Sequence, residues 1–221
     1  MVTVPVEGAL LTGDLVVSGP TRSVVLFAHG GASTRNSPRS RDVAHELHKA
    51  GIATLLLDLL SELEERNDAV TGKYRFDIPR LAHRLVTAID WLDEQPDTAR
   101  LPVGLFASGT AAAAALLATA ERPDRVYSVV SQSGRPDLAG ETLPPLRAPV
   151  LFFVGGNDQE AVRLNRESAE QMQGPHKIHL LRGVTRVSEE PEALRQVAAA
   201  AREWFVSPLE QGGDAARPSP H

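Results

Sequence analysis

Four short polar segments of this sequence carry residue types that could do chemistry, and each follows an apolar run. The segments are HGG (29–31), SGT (108–110), ND (157–158) and RGVTR (182–186). Continuous apolar runs of this kind are typical of strands buried on both faces of a parallel sheet. Ligands of such sheets bind beyond the carboxyl ends of the strands, so we expect these segments to share one site.

Ser108, His29 and Asp158 bring a hydroxyl, an imidazole and a carboxylate, the groups that nucleophilic catalysis combines. For His29 two interpretations stay open: a turn residue that holds its loop by hydrogen bonds, which we favour, or a displaced base. The other histidines lie on helices, within a strand or in the tail, and we interpret them as structural or exposed.

Charged residues beside these segments are interpreted in the same way. Asp58 follows another apolar run and is expected to cap a loop. Arg35 and Arg39 flank the HGG segment and could clamp an anionic ligand, although arginines of this kind are more often solvated or ion-paired. No glycine-rich phosphate loop and no metal-ligand spacing is present, so we expect neither a cofactor nor a metal.

Alternating strands and helices are predicted to position these segments. An antiparallel pair opens the chain, followed by parallel strands, and the predicted strands are 2–6, 15–18, 23–30, 53–60, 101–107, 126–133, 149–156 and 177–181. The predicted helices are 38–50, 78–92, 110–121, 160–171 and 191–206. The charged stretch 61–75 is expected to form a surface loop. We therefore predict one α/β domain over 1–206, with helices on both faces of a doubly wound, mostly parallel sheet of eight strands, and a disordered tail over 207–221.

Composition argues against several classes of protein. The 221 residues carry a formal net charge of −5 and no cluster of Lys or Arg, which argues against a nucleic-acid partner. The chain has no cysteine, which removes disulfides, thiolate metal sites and a thiol nucleophile. No apolar run reaches about 18 residues and no basic, then apolar, leader opens the chain. We expect a cytoplasmic protein without a membrane partner.

The HG loop, the tight SGT turn with its alanine run, the GGxD turn and the EEP helix start together resemble the dienelactone-hydrolase-like family, over about residues 2–206. The resemblance implies an α/β-hydrolase fold and a site built on a nucleophile, an acid and a histidine base, with an oxyanion hole of backbone N–H groups. It assigns the retained acid position to Asp158, and one oxyanion donor to the loop of His29, Gly30 and Gly31.

Two positions depart from the pattern of that family. In ASGTA, the tiny residues Ala107 and Ala111 flank Gly109, so the apex of the nucleophile turn has no side chain. Ser108 could serve as the nucleophile only if the turn slipped by one residue. The histidine position falls on Arg186, whose guanidinium has a pKa above about 12 and cannot accept a proton.

Two functional hypotheses therefore stay open. In the first, the chain is a pseudoenzyme or a non-hydrolytic enzyme of isomerase, cyclase or lyase type. It binds a small carbonyl or carboxylate compound in a cradle formed by the HG loop and the N–H of Thr110, with Arg35 as a further ligand-binding residue and Arg186 paired with Asp158. In the second, it is an ester or lactone hydrolase that uses Ser108, helped by His29. The sequence leaves the ligand and the oligomeric state open, a homodimer included.

Overall fold

A sheet of eight strands lies at the centre of the protein in the computed structural model, which describes residues 1–30, 35–185, 187 and 190–214. The strands are β1 (Val2–Val6), β2 (Ala9–Val16), β3 (Ser23–His29), β4 (Ile52–Asp58), β5 (Val103–Ser108), β6 (Val126–Gln132), β7 (Val150–Gly155) and β8 (His176–Leu181). Their order in the sheet is β1-β2-β4-β3-β5-β6-β7-β8. β1 and β2 pair antiparallel, β2 pairs antiparallel with β4, and all other pairs are parallel.

Helices cover both faces of this sheet. They are α1 (Pro38–Lys49), α2 (Glu62–Thr71), α3 (Ile78–Glu94), α4 (Thr110–Glu121), α5 (Gln159–Gln171) and α6 (Pro191–Asp214), with a 3₁₀ helix at Pro136–Thr142. One core cluster joins the sheet to α3 and α4, and a second joins its other face to α1 and α6. The predicted eight-stranded, three-layered α/β architecture is therefore confirmed.

The first half of α4 is almost entirely alanine, so this helix packs against its neighbours through short side chains. Ala111 to Ala115 are all completely buried, between α3 and the strands on either side. A methyl side chain keeps the helix axis near the sheet. This close packing fixes where the first turn of α4 lies at the carboxyl end of β5.

The predicted surface loop over 61–75 was wrong, because its first two-thirds form α2. Ser61 caps this helix by accepting a hydrogen bond from the N–H of Glu64, and the Glu64 carboxylate accepts one from the N–H of Ser61 at 2.9 Å. This reciprocal capping box has the spacing S-x-x-E, which was visible in the sequence. The charges of the segment obscured it, since they suggested a solvated loop.

Two boundaries also differ from the prediction. β2 begins at Ala9 rather than Leu15, because Val6 pairs directly with Ala9 across a tight turn in which Gly8 has φ +73°. α6 continues through Pro208 to Asp214, so residues 207–214 of the expected disordered tail are helical, and the rest of that segment lies outside the described residues. Proline fixes φ near its helical value and removes only one hydrogen bond, which a helix can tolerate with a kink.

None of the helices in the described ranges combines the length and apolarity that crossing a bilayer would need.

Candidate functional site

A cavity of about 420 Å³ lies at the carboxyl ends of β3, β5 and β6. Its walls come from these strand ends, from the first turns of α1 and α4, and from Arg75, which precedes α3. A volume of this size falls within the range of small-molecule sites. No acidic side chain is among the described residues that line it. The cavity is therefore suited to a neutral or anionic ligand.

Gly109 forms the turn between β5 and α4, at the floor of this cavity. Its backbone has φ +58° and ψ −132°, a conformation that residues with a Cβ rarely adopt. Its carbonyl accepts hydrogen bonds from the N–H groups of Arg135 at 3.0 Å and Ala112 at 3.3 Å. A Cβ built on Gly109 would meet no atom within 4 Å. The turn thus has the sharp geometry that the sequence predicted for an apex, with open space where a side chain would point.

Ser108 lies beside this turn as the last residue of β5 and lines the cavity. It stays within the strand, so the positive φ falls on Gly109 and the turn is not slipped by one residue. Within the described chain its hydroxyl makes no hydrogen bond to an imidazole or a carboxylate. The structure therefore brings Ser108 to the cavity without a partner that could activate it.

His29 ends β3 and also lines the cavity, but its imidazole is already engaged. Its Nε2 lies 2.9 Å from the Oγ of Ser40 on α1, and only 4% of the residue is exposed. Burial lowers the pKa of His29 from its usual 6.5 to about 4, with the backbone of Leu57 opposing this shift. The imidazole is therefore neutral at pH 7 and links β3 to α1. These contacts support the interpretation of His29 as a residue that holds its loop.

The HG loop runs close against the start of α4. A Cβ placed on Gly30 would lie 3.3 Å from the Cβ of Ala111. The first turn of α4, beginning at Thr110, and the end of β3 thus face the same cavity. Gly31, predicted as a further oxyanion residue, lies outside the described residues.

Asp158 has a structural task at the start of α5. It is the N-cap residue of the helix, and its Oδ1 accepts a hydrogen bond from the N–H of Ala161 at 3.0 Å. It is not among the residues that line the cavity. Arg186 lies outside the described residues, so the predicted ion pair between the two remains a prediction.

Arg35, predicted to bind the ligand, is placed elsewhere. Its Nε lies 3.2 Å from Oδ2 of Asp58, and its Nη1 lies 3.4 Å from Oδ2 of Asp14. The backbone N–H of Arg35 also donates to Oδ1 of Asp58 at 2.7 Å. Burial raises the pKa of the Asp58 carboxyl, and the bond and charge of Arg35 oppose that rise. Two nearby carboxylates thus hold this guanidinium away from the cavity lining, where Arg39 stands instead.

Arg75 is a cavity residue that sequence reasoning missed. Its Nε donates to Oδ2 of Asp68 at 2.6 Å and its Nη2 donates to the Asp68 carbonyl at 2.9 Å. Asp68 is 2% exposed and also accepts hydrogen bonds from the N–H groups of Tyr74 and Arg75. The guanidinium is therefore held in one orientation at the cavity wall. Arg75 was missed because the segment around it was predicted to be a surface loop.

A buried ion pair anchors the helices on either side of Arg75. Both oxygens of Glu64 accept hydrogen bonds from Arg84, at 2.7 and 2.8 Å, and Arg80 donates to Glu64 at 2.5 Å. Burial alone would raise the pKa of Glu64, but the hydrogen bonds from Arg84 and the Ser61 backbone and the charges of Arg84 and Arg80 lower it to about 2. Removing one partner of such a pair typically costs about 3–5 kcal/mol. This pair fixes α2 against α3.

No group of three or more His, Asp or Glu side chains in the described residues is placed to hold a metal ion.

No family model matches the chain. A Mycobacterium tuberculosis protein, described in two strains as "Putative phosphoribosyl transferase", is 47% identical over 199 residues. That alignment covers 90% of this chain but only 44% of the relative, so the chain spans less than half of the relative's length.

Two solved structures match this chain over nearly the whole of their own length, unlike the mycobacterial relative. Est1E from Butyrivibrio proteoclasticus has a TM-score of 0.73 over 93% of this chain and 97% of its own, but at 14% identity it shows the fold alone. A dienelactone hydrolase from Anabaena variabilis has a TM-score of 0.89 and 48% identity, over 93% of this chain and 95% of its own. Identity at that level over nearly all of both chains shows that this chain belongs to the dienelactone-hydrolase-like family of α/β-hydrolase-fold proteins.

Proposed function

We propose that this chain binds a small carbonyl or carboxylate compound in the cavity and does not hydrolyse it. The observation that carries the proposal is the turn at Gly109, which has φ +58° and open space above it. In the family, this turn presents the nucleophile, and here it presents no side chain. A hydrolase of this family cannot form an acyl intermediate at a glycine.

The remaining parts of the site favour binding of an oxyanion. The N–H of Ala112 is bonded to the Gly109 carbonyl, but those of Thr110 and Ala111 have no hydrogen bond among the described residues, and the helix dipole makes this end positive. Gly30, which follows β3, lies against the same helix start and lines the same cavity. Such donors stabilise a carboxylate, or an enolate that develops during an isomerisation, cyclisation or lyase step.

Proton transfer has little support among the described residues of the cavity. His29 has a pKa of about 4 and is hydrogen-bonded to Ser40, and the lining has no carboxylate. A general base works best when its pKa lies near the working pH. The family's base position falls on Arg186, which cannot accept a proton. These features favour a binding protein over an enzyme that needs a base.

The description of the mycobacterial relative as a phosphoribosyl transferase leads to a further proposal. We assign phosphoribosyl transfer in such a protein to the part that this chain does not match. Magnesium, the usual partner of transferred phosphate esters, is held by carboxylates, and no carboxylate lines this cavity in the described residues. The part of the relative that matches this chain would then be a binding domain.

Turnover of p-nitrophenyl acetate by the parent protein and by Ser108→Ala tests the absence of hydrolysis. Both should stay at the background rate, because loss of a triad typically removes on the order of 10⁶-fold in rate. Esterase-level turnover that disappears in Ser108→Ala would overturn the proposal in favour of the Ser108 hydrolase. In that case the rate should hold down to about pH 4, rather than fall near pH 6.5, because the pKa of His29 is about 4 and the base must be neutral.

Isothermal titration of the parent protein with acetate, benzoate and pyruvate tests the binding. Thr110→Pro removes one N–H at the first position of α4, where proline is tolerated, and should weaken carboxylate binding about 10-fold or more. Glu62→Pro makes the same change at the first position of α2, away from the cavity, and should bind like the parent. Equal affinity of the Thr110→Pro variant would show that the start of α4 is not the binding site.

A further inference from the structure

Two helices begin at the cavity without a side-chain cap. Ser37 stands at the N-cap of α1 but makes no capping hydrogen bond, and Gly109 stands at the N-cap of α4 with no side chain to cap. In contrast, Ser61, Asp77 and Asp158 each accept a backbone N–H at the start of α2, α3 and α5, whose first residues do not line the cavity. Uncapped first-turn N–H groups need acceptors from water or from a ligand.

Two guanidinium groups add donors to the lining of the cavity. Arg75 uses its Nε and Nη2 on the buried Asp68, which leaves its Nη1 without a hydrogen bond in the described residues. Arg39, in the first turn of α1, has no ion pair within the described part of the chain, and both arginines line the cavity. The lining thus carries the guanidinium of Arg75, held by Asp68, and the exposed, unpaired guanidinium of Arg39 in the first turn of α1.

The cavity lining offers more hydrogen-bond donors than the two oxygens of one carboxylate can accept. The hydroxyl of Ser37 also lines the cavity, that of Ser40 is bonded to His29, and no described lining residue is acidic. A phosphoryl group has three acceptor oxygens and a charge of about −1.5 to −2 at pH 7. Arginine and helix N-termini are the common protein partners of phosphate. A cavity of about 420 Å³ also has room for a second group at the start of α4.

We propose that the ligand is a phosphomonoester, whose phosphoryl group binds at the start of α1 between Arg39 and Arg75. Its carbonyl or carboxylate end lies at Gly109 and the start of α4. The inference rests on the proposed function, since it adds a second group to the ligand of the same cavity. It identifies the ligand class as small phosphorylated carbonyl or hydroxy-acid compounds.

Calorimetric titration with glycolate and 2-phosphoglycolate, at low ionic strength, tests the proposal with two probes that differ in the phosphoryl group alone. Phosphoglycolate should bind the parent at least 10-fold more tightly than glycolate. Arg39→Gln and Arg75→Gln should each lose about 10-fold in affinity for phosphoglycolate and keep the affinity for glycolate. Arg163→Gln, at an exposed arginine paired with Glu160 and Glu167 on α5, is the matched control and should bind both probes like the parent.

Ser37→Asp gives a second test that does not remove an arginine. Aspartate at this N-cap supplies its own carboxylate to the start of α1, so the variant should melt at a higher temperature without ligand. It should also lose the preference for phosphoglycolate while glycolate still binds. If the parent binds both probes equally, or the two arginine variants bind like the parent, the phosphoryl site is refuted and the proposed function stands. If neither probe binds the parent, both are refuted.

Discussion

Two strand-to-helix turns at the same edge of the sheet have opposite local chemistry. The turn from β7 to α5 is closed by Asp158, whose carboxylate caps the helix at 3.0 Å. The turn from β5 to α4 is left open by Gly109, so the first N–H groups of α4 face the cavity without a cap. The β7–α5 turn thus supplies a side-chain acceptor, whereas at the β5–α4 turn the N–H groups of Thr110 and Ala111 have no acceptor among the described residues.

This difference distinguishes a residue that stabilises the fold, Asp158, from a residue that shapes the cavity, Gly109. Asp158 is the residue that the resemblance assigns to the acid position, and its hydrogen bond to Ala161 is a structural role that is independent of catalysis. Gly109 contributes no side-chain contact to the fold, and its backbone keeps a conformation that suits a catalytic apex. The presence of the acid is therefore weak support for an intact triad, and the geometry at Gly109 is the more informative observation.

The largest expected effect is a gain of hydrolytic activity when a serine side chain is introduced at Gly109 together with a histidine at position 186. Gly109→Ser together with Arg186→His places a hydroxyl and an imidazole at the two positions that the resemblance assigns to nucleophile and base, while either change alone leaves one role empty. Because triad residues act as a unit, the double variant should exceed the product of the single effects by orders of magnitude in kcat/KM for p-nitrophenyl acetate. Full activity in either single variant would show that the two positions have been assigned wrongly.

A smaller effect is expected on stability at the same turn. Gly109→Ser places a Cβ at φ +58° and should lower the free energy of unfolding by about 1–3 kcal/mol, measured by urea denaturation. Gly8→Ser, in the β1–β2 turn, has φ +73° and equally open space, and should lose a similar amount while leaving ligand binding intact. An unchanged unfolding free energy in Gly109→Ser would argue that the turn is not strained.

The smallest effects are expected at the capped turn. Asp158→Ala removes the cap of α5 and should cost about 1 kcal/mol, whereas Asp158→Asn keeps a capping oxygen and should cost only a few tenths. Chemical denaturation of both variants measures the difference. A loss in Asp158→Asn as large as in Asp158→Ala would mean that the charge matters, as the predicted ion pair with Arg186 requires.

The central strands β3 to β7 were predictable because burial on both faces demands largely continuous apolar residues, as in SVVLF and VLFFV. The turn at Gly109 was predictable because the small residues around it are needed where a strand and a helix approach closely. The positive φ agrees with that prediction. The roles that the resemblance assigns to Gly109, Asp158 and Arg186 stay predictions.

Arg75 and α2 could not be placed by the same reasoning. α2 exposes Leu63 and Val70 and buries Glu64 and Asp68, the reverse of an amphipathic pattern. Its helical signal lies only in the capping box. The orientation of Arg75 depends on a carboxylate seven residues earlier, which reaches it only after the chain has folded back. Hydrophobic periodicity carries no information about such contacts.

The buried pair of Glu64 and Arg84 has a consequence for the behaviour of this corner on heating. The free-energy penalty for removing charges from water falls as temperature rises, while the stabilisation gained from apolar burial levels off. The contribution of this ion pair therefore becomes more favourable, relative to the alanine-rich packing of α4, as the protein warms. We expect the wall of the cavity that carries Arg75 to keep its shape closer to the melting temperature than the apolar packing beneath Gly109.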